Sequence, residues 1–212
     1  MSAGLAGARE RLRRARLYLV VEAAAEQVLG PALRGGVDMV QLRDKHADDD
    51  EILRAAVRFR ALCDEHDALF WLNDRPDLAS EAGAHGIHLG QDDMPVTEAR
   101  EQLGRDVLIG LSTHSPAQFD AALRSDADQL SVGPIWETPT KAGRPPAGLD
   151  YVRYAAEHGG EVSWFAIGGI DERNLSEVVA AGGRRIVVAR AIRDADDPER
   201  AAATLCQTLC AP

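Results

Sequence analysis

Lysine is almost missing from this chain: of its 24 basic residues only Lys45 and Lys141 are lysines, leaving 22 arginines. Lysine is a compact, movable ammonium and arginine a planar fork. A sequence that uses arginine elsewhere and keeps lysine at two positions, each just after an apolar run, marks places where the compact charge is wanted. Cysteine is scarce too. Cys63, Cys206 and Cys210 are odd in number, lack metal-ligand spacing and fall on helical faces, which excludes a disulfide framework and points to small core residues in a reduced, cytoplasmic chain. No apolar run approaches the roughly 18 residues of a membrane span, and no low-complexity linker divides the chain. Net positive charge is also lacking. A formal charge of −10 opposes nucleic acid or an anionic membrane as partner, because both require a basic field over the contact surface. Any phosphate must be held by local charge.

What is present is enough apolar residue, 45% of 212, to build the core of one large domain over 1–212. Arg9, Arg11, Arg13, Arg14 and Arg16 precede Leu17-Tyr18-Leu19-Val20-Val21. Five apolar residues are too few for the h-region of an export signal, and Glu10 interrupts the basic run, so residues 1–16 read as an exposed arginine-rich lead-in. Short apolar runs then recur at Leu17–Val21, Val37–Leu42, Ala68–Leu72, Gly86–Leu89, Val107–Leu111, Gln129–Val132, Ser163–Ile167 and Arg185–Ala189. Segments of helical spacing lie between them, such as Ile52, Ala56, Phe59 and Cys63, or Leu175, Val178 and Val179. Ser115-Pro116-Ala117-Gln118 reads as an N-cap with proline in the first turn and a capping glutamine, and Asp171 opens a helix that Gly182 can end. Eight strand-then-helix units predict a closed (β/α)8 barrel. A doubly wound open sheet is the alternative, but no Gly-x-Gly-x-x-Gly follows the first strand, whose exit is Val21-Glu22-Ala23-Ala24-Ala25.

In such a barrel the informative residues are those at the strand exits. Arg43, Lys45 and Lys141 are cations suited to a multiply charged anion, the arginine binding two oxygens at once and the lysines adding movable charge. Asp74 and Asp93, at adjacent exits, are hard oxygen ligands that suit Mg2+ better than zinc; on the plainer reading each carboxylate is a helix cap. Gly168-Gly169 precedes a helix, where missing Cβ atoms let backbone N–H groups approach an oxyanion at the positive end of the dipole. The loops after strands seven and eight are the commonest phosphate site of this fold, and Thr138 and Thr140 add hydroxyl donors.

Seven motifs in order carry a resemblance that spans nearly the whole chain: Gln41-Leu42-Arg43-Asp44-Lys45, Asn73-Asp74-Arg75-Pro76-Asp77-Leu78-Ala79, His88-Leu89-Gly90-Gln91-Asp92-Asp93, Gly110-Leu111-Ser112-Thr113-His114, Gly133-Pro134, Thr138-Pro139-Thr140-Lys141 and Ile167-Gly168-Gly169-Ile170. Together they resemble the thiamine-phosphate synthase family, also called thiamine-phosphate pyrophosphorylase. The resemblance implies a magnesium-dependent transferase of thiamine biosynthesis that joins a hydroxymethylpyrimidine diphosphate to a thiazole phosphate, releasing diphosphate. It assigns the pyrimidine to Gln41, the diphosphate to Arg43, Lys45, Asn73 and Lys141 with Ser112 beside the leaving group, and Mg2+ to Asp74 and Asp93. Thr138, Thr140, Gly168, Gly169 and the Ala189-Arg190 backbone fall on the thiazole phosphate side. It further implies that diphosphate leaves first and the thiazole nitrogen captures the pyrimidine cation, so that no nucleophilic side chain is needed. His88 and His114 are candidate bases, but a histidine near a strand end is more often a hydrogen-bonded structural residue.

The chain departs from the family pattern at Arg190, where serine is usual, and at Asp92, where glutamate is usual. A thiazole tautomerase of the same fold is the rival enzyme, and a non-catalytic barrel binding a phosphorylated metabolite is the rival from another class. Neither accounts for Arg43, Lys45, Asn73, Asp74, Asp93 and Lys141 together. The partners expected are small molecules, with neither nucleic acid nor membrane. A homo-oligomer is compatible with the exterior helices, though no apolar stripe marks an interface, and the loop from Gly133 to Gly148 is long enough for a lid.

Overall fold

The computed structural model describes residues 3–138 and 145–211. Eight parallel strands close into a barrel in sequence order: β1 (Leu17–Val21), β2 (Met39–Leu42), β3 (Leu69–Asn73), β4 (Gly86–Leu89), β5 (Leu108–Thr113), β6 (Gln129–Val132), β7 (Ser163–Ile167) and β8 (Ile186–Val188). The register runs Tyr18 against Met39 between β1 and β2, and closes with Leu17 against Ile186 between β1 and β8. All eight strands lie within or nearly within the apolar runs read from the sequence. The reason is physical: a parallel strand under a helical layer is covered on both faces, so it appears as an unbroken apolar run, and every residue of β2, β4 and β6 is buried.

The helices are α1 (Ala3–Arg14), α2 (Leu29–Arg34), α3 (Asp49–Glu65), α4 (Val96–Leu103), α5 (Pro116–Leu123), α6 (Gly148–His158), α7 (Leu175–Ala180), α8 (Arg190–Arg193) and α9 (Pro198–Cys210), with short 3-10 turns at Ala23–Val28 and Pro76–Leu78. Asp48 caps α3 reciprocally: its carboxylate accepts from the Glu51 N–H at 2.9 Å, and the Glu51 carboxylate accepts from the Asp48 N–H at 3.1 Å. Ile52, Ala56, Phe59 and Cys63 bury the inner face of α3 as their spacing predicts. In α5, Ser115 is the cap, but Gln118 accepts from the His114 N–H at 2.8 Å, one residue before the expected partner. Helix α7 starts at Leu175 and not at Asp171, because residues 171–174 form a turn in which the Asn174 side chain accepts from the Asp171 N–H.

The expectation of an exposed arginine-rich lead-in is corrected. Residues 3–14 form α1, whose Ala8 and Leu12 are each 3% exposed and pack with Ala15 against Tyr18, Met39, Leu69, Trp71, Leu108 and Phe165 inside the barrel. Two of its arginines anchor it, while Arg13 and Arg14 stay exposed. Arg9 pairs with Asp128 at 3.1 Å, and Arg11 donates to the Ala68 carbonyl at 3.2 Å. Asp38 accepts from the Arg16 and Leu17 N–H groups at 2.7 and 2.9 Å. Asp128 also takes the buried Arg100 at 2.7 Å, so one carboxylate joins α1 to α4. The cysteines are corrected in part as well: Cys63 is buried, its thiol pushed up to about 12 by burial, but Cys206 is half-buried and Cys210 exposed. Among the described residues no helix is long and apolar enough to cross a membrane.

Candidate active site

At the C-terminal ends of the strands two adjoining cavities of about 320 and about 500 Å³ open side by side, sharing a wall made of Arg43, Asn73, His88, Ser112 and His114. The larger is polar. Arg43, Lys45, Asn73, Asp74, Asp93 and Ser112, each expected from sequence, all line it. Strand β3 delivers Asn73, and the next residue turns sharply: Asp74 has φ 56° and its N–H donates to the His88 carbonyl at 2.9 Å, tying the β3 exit to β4. A non-glycine residue in the left-handed region is uncommon, and aspartate tolerates it better than most. Asn73 Nδ2 donates to the Asp74 carboxylate at 2.6 Å, and Asp93 is held by the Gly90 N–H at 2.7 Å. Burial raises the Asp74 carboxyl to about 6, and the contact and charge of Asp93 add to the rise, while Asn73 and Lys45 pull the other way. Two carboxylates in contact within a partly desolvated cleft call for a shared proton or a cation.

The smaller cavity holds Gln41, Thr138, Gly168, Gly169, Ala189 and Arg190, with Tyr18 lining it as well. Gln41 Nε2 donates to the Tyr18 hydroxyl at 2.5 Å. Gly168 has φ 107°, and a Cβ there would meet the Pro134 Cα at 2.6 Å, so no side chain fits. The Trp136 N–H donates to its carbonyl at 3.0 Å and the Ile135 N–H to Ile167 at 2.8 Å, locking the β6 and β7 exits together. The helix-dipole argument for this glycine pair is corrected: α7 begins only at Leu175, and the helix starting in the cavity wall is the short α8, directly after β8. Its first-turn N–H groups, at Arg190 and Ala191, are those without intrahelical acceptors. Arg190 is exposed at the rim near Arg173, which is engaged by Asp171. Lys141 and Thr140 lie outside the described residues, as does the middle of the proposed lid.

Sequence reasoning missed the polar floor between the two cavities. Tyr18 and Ser131 line the smaller cavity and His88 lines both, while Gln129 is fully buried. His88 Nδ1 lies 3.1 Å from Gln129 Oε1, and its Nε2 lies 2.9 Å from Ser112 Oγ. His114 Nδ1 contacts the Gly133 carbonyl at 2.5 Å, so both histidines are hydrogen-bonded in place. Only the alternation of inward positions along β4 and β6 could have paired His88 with Gln129. Among the described residues no group of three or more His, Cys, Asp or Glu side chains gathers to hold a metal; the Asp74–Asp93 pair supplies two oxygen donors.

A family model described as thiamine monophosphate synthase matches residues 17–192. A thiamine-phosphate synthase of Acidothermus cellulolyticus is 52% identical over 203 residues, covering 93% of this chain and 96% of that protein. One of Thermus thermophilus is 52% identical over 202 residues, covering 92% and 97%. Among solved structures, a thiamine phosphate pyrophosphorylase of Pyrococcus furiosus superposes with a TM-score of 0.85 at 31% identity, covering 95% of this chain and 96% of that one.

Proposed function

The chain belongs to the thiamine monophosphate synthase family, with the activity of a thiamine-phosphate synthase, a transferase, and we propose that it joins a hydroxymethylpyrimidine diphosphate to a thiazole phosphate through the two cavities described. The observation that carries the reading is their adjacency. A polar cavity with Arg43, Lys45 and Asn73 adjoins a second one with Gln41, Gly168 and the α8 N-terminus, and the two share one wall. Two substrates held on either side of that wall meet across it.

In this mechanism Arg43, Lys45 and Lys141 hold the diphosphate and stabilise the charge that grows on it as the carbon–oxygen bond breaks. Gln41 and the shared wall hold the pyrimidine, while Thr138, Thr140, Gly168, Gly169 and the Ala189-Arg190 backbone hold the thiazole phosphate with its ring nitrogen toward the reacting carbon. The contribution of holding the rings in line is entropic. The donor set of Asp74 and Asp93 fits magnesium: two hard carboxylates in contact, one of them with its pKa raised by burial and then by the other, would gain from a divalent cation held there. Bound there, magnesium would add Lewis-acid charge stabilisation to the departing diphosphate. A reduced cytoplasmic setting and small-molecule partners belong to the same proposal.

The test is direct. The protein incubated with both substrates and magnesium should release diphosphate and form thiamine phosphate. Tautomer conversion of the thiazole without diphosphate release would support the rival enzyme instead.

A further inference from the structure

Arg75 follows Asp74 directly in the chain, yet it lines neither cavity. Its guanidinium is engaged by two carboxylates. Nε donates to Asp77 Oδ1 at 3.0 Å and Nη2 to Asp77 Oδ2 at 2.7 Å, a two-pronged grip, while Nη1 donates to Asp49 Oδ1 at 2.7 Å. These bonds hold both carboxyls below their usual range. Asp77 lies in the 3-10 turn after β3, and Asp49 is the first residue of α3. One side chain therefore bridges the β3 exit to the far end of the loop 43–48, which carries Arg43 and Lys45 along the polar cavity.

The near end of that loop is tied in the other direction, toward β1. The Arg43 N–H donates to the Val21 carbonyl at 2.8 Å, and the Asp44 carboxylate accepts from the Ala23, His46 and Ala47 N–H groups at 3.3, 3.1 and 3.2 Å. The reciprocal cap of Asp48 and Glu51 lies within the first turn of α3 itself. Arg75 supplies the polar tie on the side of β3, where Asn73 and Asp74 stand. Lys45 is long and exposed, so the reach of its ammonium is set by the loop backbone beneath it.

We infer that Arg75 is a positioning residue for the diphosphate: by bridging Asp77 to Asp49 it holds the loop 43–48 so that Lys45 faces the polar cavity together with Asn73. The inference rests on the synthase reading for its ligand and adds to it a residue that touches no substrate. Asp49 and Asp77 are 64% and 54% exposed, and exposed ion pairs add little to stability. The bridge acts on where the loop sits, not on how firmly the barrel folds. Two other roles would behave differently. A guanidinium that bound diphosphate directly would bind it better once released from Asp49. One that only screened the acidic run Asp48-Asp49-Asp50-Glu51 from a polyanion would be less needed once Asp49 lost its charge.

Binding of inorganic diphosphate, measured by calorimetry with magnesium present, separates the three. Arg75→Gln should weaken it about tenfold, the size of coupling found within one polar network, and melt within about 2 °C of wild type. Asp49→Asn should weaken binding too, by about threefold or more. Asp50→Asn, which removes a charge from the same turn but leaves the bridge intact, should not. Arg75→Lys should restore little, because an ammonium cannot span both carboxylates. In a Lys45→Ala background, Arg75→Gln should weaken binding by less than about twofold more. Without ligand, amide hydrogen exchange over residues 43–48 should quicken in Arg75→Gln and Asp49→Asn and stay at the wild-type rate in Asp50→Asn. Unchanged or tighter binding by Asp49→Asn overturns the inference, as does an Arg75→Gln loss that persists in full without Lys45. If Arg75→Gln fails to fold, Asp49→Asn and its exchange rates decide. A wild-type protein that bound no diphosphate would sink the synthase reading instead, and the exchange rates would then decide whether the bridge holds the loop.

Discussion

Asp74→Asn should make the metal-free protein more stable while destroying its activity. The Asp74 carboxyl is raised from 3.8 to about 6, first by burial and then by Asp93. The sign follows from linkage. A carboxyl whose folded-state pKa lies above its unfolded value favours folding only while protonated, so stability is full below about pH 4 and is lost as pH rises through about 6. Two pKa units at about 1.4 kcal/mol each set an upper bound near 3 kcal/mol, and sharing between coupled carboxylates reduces the value to about 1–2 kcal/mol. Asparagine removes the charge, keeps an oxygen for the Asn73 amide, and tolerates the left-handed backbone of this position. At about 2–4 °C per kcal/mol for a domain of this size, Asp74→Asn should melt roughly 2–8 °C above wild type at pH 7.5 with chelator present. At pH 3.5 the difference should vanish, since both side chains are then neutral. Thermal unfolding followed by circular dichroism at the two pH values measures it. An Asp74→Asn protein less stable than wild type at pH 7.5, or a gain that persists at pH 3.5, would refute the reasoning.

Other expectations are equally concrete. Leu12→Ala, which removes the apolar tip of α1 beneath the barrel, should cost about 3 kcal/mol in urea unfolding, whereas an exposed lead-in would lose almost nothing. Burial, with help from Arg60 and Arg11, lowers the His85 ring to about 4; the unfolded chain therefore takes up this proton first, and stability should hold above about pH 6.5 and fall by up to about 3 kcal/mol toward pH 4. His85→Asn should remove that part of the slope in urea titrations across the range. Lys141→Ala should slow diphosphate release by two orders of magnitude or more in single-turnover assays, an unchanged rate ruling out its role on the leaving group. Arg190→Ser should leave turnover nearly intact, and a large rise in the thiazole phosphate KM would show instead that the guanidinium binds it.

The barrel was legible because its strands are buried on both faces, which makes each an apolar run, and because the polar residues beyond each run stand at the mouth. The same logic located Asp74, Asp93, Arg43 and Lys45 without three-dimensional information. Two features were hidden for different reasons. In α1 the four arginines drew attention to charge, yet the helix also carries a narrow apolar face of Ala8 and Leu12, too small to register as a hydrophobic period. The His88–Gln129 contact joins strands separated by 41 residues, and which inward-facing side chains meet inside a barrel depends on its shear, a property of the closed sheet that no single strand carries. The glycine pair shows a third limit: its composition announced a close approach of backbones, but the partner proved to be Pro134, and the helix start at this rim belongs to α8.

The small helix under the barrel has one more consequence. Ala8 and Leu12 complete the packed interior of the barrel at one end, and both cavities open at the other. Occupying that open end with two phosphorylated molecules therefore expels water as it delivers the reactants. In the proposed mechanism the nucleophile nearest to a carbon left electron-poor between them would then be the thiazole nitrogen.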